Sequence, residues 1–222
     1  MDIPILYKDS AVAVCVKPPG CNSEKDMPDK LKAQLKVPEV LCVHRLDRDV
    51  GGVMVYALGK EAAAALSRAI GSGDFQKEYL AVVHGEAERE ADTLRDLLFH
   101  DRTKNKSYVV RRKRAGVKEA ELSYRVCAMA EGLSLLAVRL HTGRTHQIRV
   151  QFASRRHPLV GDAKYGSPMR EHSIALFSHA LGFQHPVTGE SMRFEAPIPG
   201  GYPWDLFDKN IIDGGPVCDT SK

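Results

Sequence analysis

The sequence predicts an α+β fold, because short β-rich segments outnumber the helical ones and several follow one another with no helix between them. Hydrophobic residues make up 43% of the 222 residues and charged residues 27%, the proportions of a globular protein rather than of a disordered chain. A chain of this length buries roughly 70% of its unfolded surface, so we expect a core that needs no disulfide or metal to support it.

Strands and helices alternate in the first third of the chain. An apolar, largely β-branched run from Ala11 to Val16 predicts a strand, and Lys17-Pro18-Pro19-Gly20 ends it because proline and glycine interrupt strands. The same rules predict, in order, a short helix near 28–36, a buried strand at 52–58, a helix at 61–70 that stops at Gly71, and a strand at 77–84.

The middle of the chain is predicted to form an antiparallel meander, since β-rich stretches there are separated only by turn signals. These stretches are 93–99, 107–110, 118–129 and 133–140. A helix is predicted from Thr145 to about Arg155, followed by strands at 174–183 and 191–195 that a proline-and-glycine turn joins. The last twenty residues show no strong pattern.

The composition argues against several classes of protein. No apolar run is long enough to span a bilayer, and the first residues lack the pattern of a signal peptide, so we expect a cytoplasmic protein. The five cysteines include no Cys-x-x-Cys pair and the nine histidines no His-Glu-x-x-His, which predicts reduced thiols and no metal site.

Positive charge is concentrated in one segment, although the net charge is only +4. Between Arg102 and Lys118 the chain has eight Lys or Arg residues and no Asp or Glu. A solvated hairpin tip would explain an isolated run of this kind. Such a block also suits a polyanion, because Lys and Arg displace counterions from phosphates, and the motifs described next favour RNA.

Four motifs follow one another in an informative order. The first is His44-Arg45-Leu46-Asp47; the others are Lys77-Glu78-Tyr79-Leu80-Ala81-Val82-Val83-His84-Gly85, Gly143-Arg144-Thr145-His146-Gln147-Ile148-Arg149-Val150, and His157-Pro158-Leu159-Val160-Gly161-Asp162-Ala163-Lys164-Tyr165-Gly166. In this order and spacing the sequence resembles the RluA family of RNA pseudouridine synthases from about Ile5 to Pro199. The resemblance implies a mixed, mainly antiparallel sheet in two halves around a central catalytic cleft, flanked by helices. It also implies one catalytic domain over residues 1–222, no preceding RNA-binding domain, and a monomer.

The implied reaction turns uridine into pseudouridine, and it requires neither an electron transfer nor a cofactor. It does require a carboxylate, a proton-handling group and access to a base that has left its stack. We interpret Asp47 as the carboxylate, although a loop Asp also commonly braces a turn. By resemblance, Tyr79 stacks on the target base and takes the C5 proton, and Arg149 pairs with the acid. A core tyrosine and a helix-surface arginine are the structural alternatives.

A second group of residues is predicted to contact RNA, either ribosomal or transfer RNA. By resemblance Arg45 enters the space that the flipped nucleotide leaves, and the alternative is an ordinary surface arginine. His44 and His146 lie near the chemistry, where they also suit the orientation of neighbouring groups. The complete predicted RNA-binding set is Arg45, His44, Arg144, His146, Arg111, Arg112, Lys113 and Arg114.

The sequence departs from the family after the catalytic motif, where Thr-Ser-Gly is usual and Val50-Gly51-Gly52 stands here. Two hydroxyls are therefore missing from the active-site loop. This departure supports an alternative function, an RNA-binding or RNA-folding protein with weak or lost catalysis. A metal or thiol hydrolase is a third class, and the absence of ligand spacing and of a Cys-His pair argues against it.

Overall fold

A computed structural model describes residues 2–87, 89–170 and 172–208. Most of the unpatterned C-terminal segment therefore lies outside the described residues. In chain order the elements are β1 (Ile5–Lys8), β2 (Val12–Lys17), α1 (Asp26–Leu35), β3 (Leu41–Cys42), β4 (Gly51–Ala57), α2 (Lys60–Ser72), β5 (Gln76–His84), β6 (Ala91–Asp101), β7 (Lys106–Val110), β8 (Val117–Ala130), β9 (Leu133–Leu140), α3 (Gln147–Ala153), β10 (Leu176–Gln184) and β11 (Ser191–Glu195).

The predicted elements are all present. The bounds of β9 and β11 are those that the sequence predicts, and most others differ by one or two residues. Strands β1 and β3 were not predicted as strands. The helix predicted from Thr145 to Arg155 is shorter, because His146 adopts a left-handed conformation with φ 54° that delays the first helical residue to Gln147.

The described residues form two compact units, which are 2–77 with 177–197 and 78–176 with 198–208. In the first unit, β2 pairs antiparallel with β1 and β4, while β4 pairs in parallel with β10 at Gly51 and Gly52. Every residue of β4 is buried. Helices α1 and α2 bury Met27, Leu31 and Leu66, so one apolar side of each helix contributes to the core.

The second unit contains an antiparallel sheet in the order β5-β9-β8-β6-β7. Helix α3 packs on this sheet, where Val150 joins Leu98 and Ala120 in a buried cluster. The ring of Phe152 also meets Tyr124 edge-on at 5.3 Å. The parallel β4–β10 pair and the antiparallel remainder confirm the predicted α+β class with a mixed, mainly antiparallel sheet. No helix in the described part of the chain is long and apolar enough to cross a membrane.

Gly52 is required where β4 meets β10. Its φ of 126° is one that side chains rarely adopt, and an added Cβ would collide with the backbone of Ser178. The Ser178 hydroxyl donates a hydrogen bond to the Val53 carbonyl at 3.0 Å, so the two strands are also joined beside the glycine. A side chain at this position would separate them.

We therefore expect Gly52→Ala to lower the free energy of unfolding by at least about 2 kcal/mol, through backbone strain and loss of strand pairing. Gly71→Ala is the matched control, because Gly71 lies inside α2 with nothing within 4 Å of an added Cβ. That variant should gain up to about 1 kcal/mol from helix propensity. Urea titrations measure both, and equal stability of the two variants would contradict the role of Gly52.

Candidate active site

The loop between β3 and β4 carries Asp47 and is held by backbone contacts on both sides of it. The Ser23 hydroxyl donates to the Leu46 carbonyl at 2.9 Å and accepts from the Leu46 N–H at 3.1 Å. The Val50 N–H donates to the Asp47 carbonyl at 3.0 Å, which closes a turn. Asp47 itself is half-buried. The loop therefore presents this carboxylate from a fixed backbone, as a catalytic group requires.

Lys17 ties the same loop to the end of β2. Its side chain is fully buried, and its ammonium donates to the carbonyl oxygens of Pro18, Cys21 and Arg48 at 2.8–3.0 Å. Burial lowers the pKa of Lys17 to about 8, while the negative charges near it, including those of Asp49 and Asp47, act in the opposite direction. The sequence pattern ended β2 at this residue and gave it no role in the site.

His44 has a supporting role in the structure, and its predicted contact with RNA stays a prediction. Its ring is buried beside Phe75, and its Nε2 accepts a hydrogen bond from the Val55 N–H at 3.2 Å. Burial holds the pKa of His44 well below its usual value, with the charge of Lys77 as a second cause. A neutral ring that accepts through Nε2 carries its proton on Nδ1. His44 thus links the Asp47 loop to β4.

Arg45 and the exposed part of the same loop remain accessible. The Arg45 guanidinium lies 3.7 Å from the Glu24 carboxylate, and both side chains are more than half exposed. An exposed pair of this kind contributes little to stability and is readily exchanged for another anion. Its predicted contact with RNA stays a prediction.

The departure at Val50-Gly51 is accommodated by Pro19. A Cβ added at Gly51 would lie 3.1 Å from Cδ of Pro19 and 3.2 Å from the Lys17 carbonyl oxygen. The proline ring therefore occupies the space that a side chain at position 51 would need. Val50 is itself buried. The missing hydroxyls leave a packed loop and not a gap.

In the second unit, Arg149 is buried and forms a two-pronged ion pair with Asp162. Its Nε and Nη2 donate to the two carboxylate oxygens at 2.7 and 2.9 Å, and the side chains are 6% and 0% exposed. The alternative of a helix-surface arginine is wrong. The contact predicted between Arg149 and Asp47 stays a prediction. Tyr79 lies in β5 opposite Val138 and is also buried, and its role at the base stays a prediction too.

Tyr165 connects Arg149, His146 and the basic segment, and the sequence assigned it no role. Its hydroxyl accepts from the Ser107 N–H at 2.8 Å and hydrogen-bonds to Nδ1 of His146 at 3.0 Å. The cations of Arg149 and Lys106 each lie 5.2 Å from its ring centre. The motif from His157 to Gly166 contains both Tyr165 and Asp162, and this was the signal that could have identified them.

His146 is 8% exposed and hydrogen-bonds the Tyr165 hydroxyl, and its predicted contact with RNA stays a prediction. Arg144 is half-buried, and its Nε donates to the Glu119 carbonyl at 2.8 Å. Gln147 fixes this turn, because its side-chain Oε1 accepts from the Arg144 N–H and the Thr142 hydroxyl. The contact of Arg144 with RNA stays a prediction.

The basic segment spans more than a hairpin tip. Arg102 and Lys104 lie in the β6–β7 turn, Lys106 in β7, and Lys118 in β8. The loop between β7 and β8 holds four consecutive exposed cations, Arg111, Arg112, Lys113 and Arg114. Lys113 pairs with Glu119, and Arg114 lies over the ring of Phe99 at 5.0 Å. Among residues 2–87, 89–170 and 172–208, no group of three or more His, Cys, Asp or Glu is placed to hold a metal ion.

The sequence is similar to proteins that are named RNA pseudouridine synthases. The family model described as RNA pseudouridylate synthase matches residues 11–154. The chain is 34% identical to ribosomal large subunit pseudouridine synthase D of Xanthomonas campestris pv. campestris, over 89% of this chain and 67% of that protein. It is 35% identical to the uncharacterized RNA pseudouridine synthase YjbO of Bacillus subtilis, over 88% and 72%.

A solved structure shares the fold. Human RNA pseudouridylate synthase domain containing 1 superposes with a TM-score of 0.75 at 23% identity, covering 88% of this chain and 83% of that one. At this identity the similarity concerns the fold alone. It agrees with the fold class that the sequence predicts.

Breaking the Arg149–Asp162 pair should be among the most destabilising single changes in the second unit. We expect Arg149→Ala to lower the free energy of unfolding by about 3–5 kcal/mol, because it leaves a buried carboxylate unpaired. Arg149→Lys should lower the free energy of unfolding by less, since lysine keeps the positive charge although it cannot bind both carboxylate oxygens as arginine does.

Arg155→Ala is the control for this prediction. Arg155 also donates through two nitrogens to the two carboxylate oxygens of Asp96, but its side chain is 36% exposed. Arg155→Ala should lower the free energy of unfolding by about 1 kcal/mol or less. Urea denaturation of the three variants measures the difference. Equal losses at Arg149 and Arg155 would contradict the importance of burial.

His44 predicts a pH dependence of stability. Its pKa is lowered in the folded protein, so below about pH 6.5 the unfolded chain binds one more proton and the free energy of unfolding falls. The fall should approach about 1.4 kcal/mol per pH unit from this residue. His44→Gln keeps an acceptor for the Val55 N–H and should make the slope shallower by that amount. An unchanged slope would show that folded His44 takes up the proton.

Proposed function

The chain belongs to the RNA pseudouridylate synthase family, and we propose that Asp47 is the carboxylate with which it isomerises uridine in RNA to pseudouridine. One observation carries this assignment. Asp47 stands in a loop whose backbone is held on both sides, by Ser23 at Leu46 and by Lys17 at Arg48. A group that must meet one atom of a flipped nucleotide gains from such a rigid support.

The reaction breaks the bond between N1 of the base and C1′ of the ribose and forms a bond between C5 and C1′. The proton on C5 is lost and N1 gains one, so the product is an isomer of the substrate. A carboxylate serves this exchange as a nucleophile or by stabilising positive charge at C1′. We propose that Tyr79 stacks on the base and takes the C5 proton, and that Arg149 supports the acid.

The two hydrogen bonds between Arg149 and Asp162 support the role proposed for Arg149, because they fix the direction of the guanidinium. Tyr165 adds an aromatic face to the same cation. A cation held in this way keeps its charge and position without help from solvent.

We propose ribosomal RNA as the substrate and keep transfer RNA as the second choice. Several relatives are named ribosomal large subunit pseudouridine synthase, D or C, and these names favour the ribosome. We also propose that the protein acts as a monomer in the cytoplasm. Within the described ranges Cys15, Cys21, Cys42 and Cys127 are free thiols, which supports a reducing compartment.

The alternative of an RNA-binding protein without catalysis is not favoured. It depended on the Val50-Gly51 departure, and Pro19 fills the space at Gly51. The loop that carries Asp47 therefore remains packed although it lacks the two hydroxyls. The family match also covers the segments that carry Asp47, Tyr79 and Arg149.

Asp47→Asn should abolish turnover and leave fold and RNA affinity nearly unchanged, because the amide is isosteric and lacks the charge and the nucleophile. We expect a loss of at least about a thousandfold, which corresponds to roughly 4 kcal/mol of transition-state stabilisation. Release of tritium from RNA labelled at C5 of uridine measures turnover. Asp49→Asn, two residues along the same loop and exposed, is the control and should retain activity. Equal activity of the two variants would refute the assignment.

Replacing Arg111, Arg112, Lys113 and Arg114 by Gln should weaken RNA binding and flatten its dependence on salt. The slope of log affinity against log salt should fall by about 0.7 to 0.9 for each phosphate that the loop no longer neutralises. The same change at four exposed lysines in and beside α1, Lys25, Lys30, Lys32 and Lys36, is the charge-matched control. Identical slopes for the two fourfold variants would mean that the basic loop faces solvent in the complex.

A further inference from the structure

Strands β6, β7 and β8 present two different faces. The face toward α3 contains the buried residues Leu98, Ser107 and Ala120. The cross-strand pairs Phe99–Tyr108, Phe99–Val117 and Leu97–Val110 place their side chains on the other side of the sheet. We call this side the outer face; it consists of Leu97, Phe99, Tyr108, Val110 and Val117.

The outer face is apolar and aromatic, and the described residues of its unit leave it partly exposed. Tyr108 is 37% exposed and the other four residues are half-buried. An apolar strand face that points to solvent is unusual in a sheet whose opposite face already supplies the core. Such a face suggests a ligand that covers it.

Cations surround this face. Arg114 lies over the ring of Phe99 at 5.0 Å, and Lys106 lies over that of Tyr108 at 5.8 Å. The acids on the same side already have partners, since Glu119 pairs with Lys113 and Glu121 with Arg95, while Asp101 accepts hydrogen bonds from its own turn. The excess of positive charge therefore complements an anionic ligand that also has flat apolar surfaces.

We propose that the outer face binds unpaired nucleotides of the RNA substrate, with a base stacked on Tyr108 and with Lys106 and the cations of the β7–β8 loop on the neighbouring phosphates. The proposal rests on the proposed RNA function. Only unpaired nucleotides present base faces to an aromatic ring, whereas a duplex presents its backbone. The face therefore recognises single-stranded RNA and not a helix.

Binding of a short, unstructured RNA that contains 2-aminopurine tests the proposal, and a duplex of the same sequence serves as the comparison. The measurements use the Asp47→Asn protein, which holds RNA without converting it. Tyr108→Ala should weaken binding of the single strand at least about fivefold, the lower end for one stacked base, and should reduce quenching of 2-aminopurine fluorescence. Tyr108→Phe should keep both, and duplex binding should not change.

Tyr202→Ala is the matched control, because Tyr202 is similarly exposed at 40% and lies in the same unit. It should bind both RNAs as the parent does. Tyr108→Ala should also keep the parent's salt slope, since it removes no charge, whereas the fourfold loop variant should flatten it. Weaker binding with an altered slope in Tyr108→Ala would point to a distorted loop and would overturn the proposal.

Three further results would overturn stacking. The first is unchanged single-strand binding by Tyr108→Ala, and the second is an equal loss of affinity for the single strand and the duplex in that variant. The third is competition by polyglutamate as strong as that by RNA, which would indicate an acidic protein partner.

Tritium release by the wild-type protein separates this proposal from the catalytic one. Release together with Tyr108-independent binding refutes the stacking face alone. Tyr108-dependent binding without release refutes catalysis and supports the face.

Discussion

The buried ammonium of Lys17 is the interaction on which the candidate active site depends. An unpaired charge in the interior would cost several kcal/mol, and here three carbonyl oxygens accept from it. Two of them belong to the turn after β2, and the third, that of Arg48, belongs to the loop of Asp47. The Gly20 N–H donates to the same Arg48 carbonyl at 2.8 Å. One charge thus joins two loops that contain no regular structure of their own, and the position of Asp47 follows from it.

The second unit also contains a buried cation, and here it is a guanidinium. A guanidinium has five donors in a planar fork, so Arg149 can bind both oxygens of Asp162 and still lie against the ring of Tyr165. The Tyr165 hydroxyl then binds the backbone of Ser107 and the ring of His146. These contacts connect α3, the segment after it and the start of β7. Buried polar groups in such a network keep one arrangement, because each broken bond would leave a charge or dipole unsatisfied.

The charged groups divide by exposure into two roles. Lys17, Arg149 and Asp162 are buried, where weak screening makes their interactions strong and their positions fixed. The cations of the β7–β8 loop are exposed, where salt screens them and where their contribution to folding is small. Exposed cations are available to bind phosphates, whereas buried cations fix the positions of the groups that they contact. The aromatic outer face adds apolar contact area beside the exposed group.

The sequence by itself determined the elements that local pattern controls. Strands β9 and β11 have their predicted bounds because alternation and flanking turns act within a few residues, and Asp47 lies, as predicted, in a loop before the wholly buried β4. Only the tertiary structure decided which distant groups meet. Arg149 pairs with Asp162, Lys17 with the Arg48 carbonyl, and Gly52 with Ser178, while His44 turns inward to Val55. Such pairs depend on how loops return the chain to an earlier element, and the local pattern of residues does not show that path. Burial then favours such pairs, because leaving a buried donor or acceptor without a partner costs free energy.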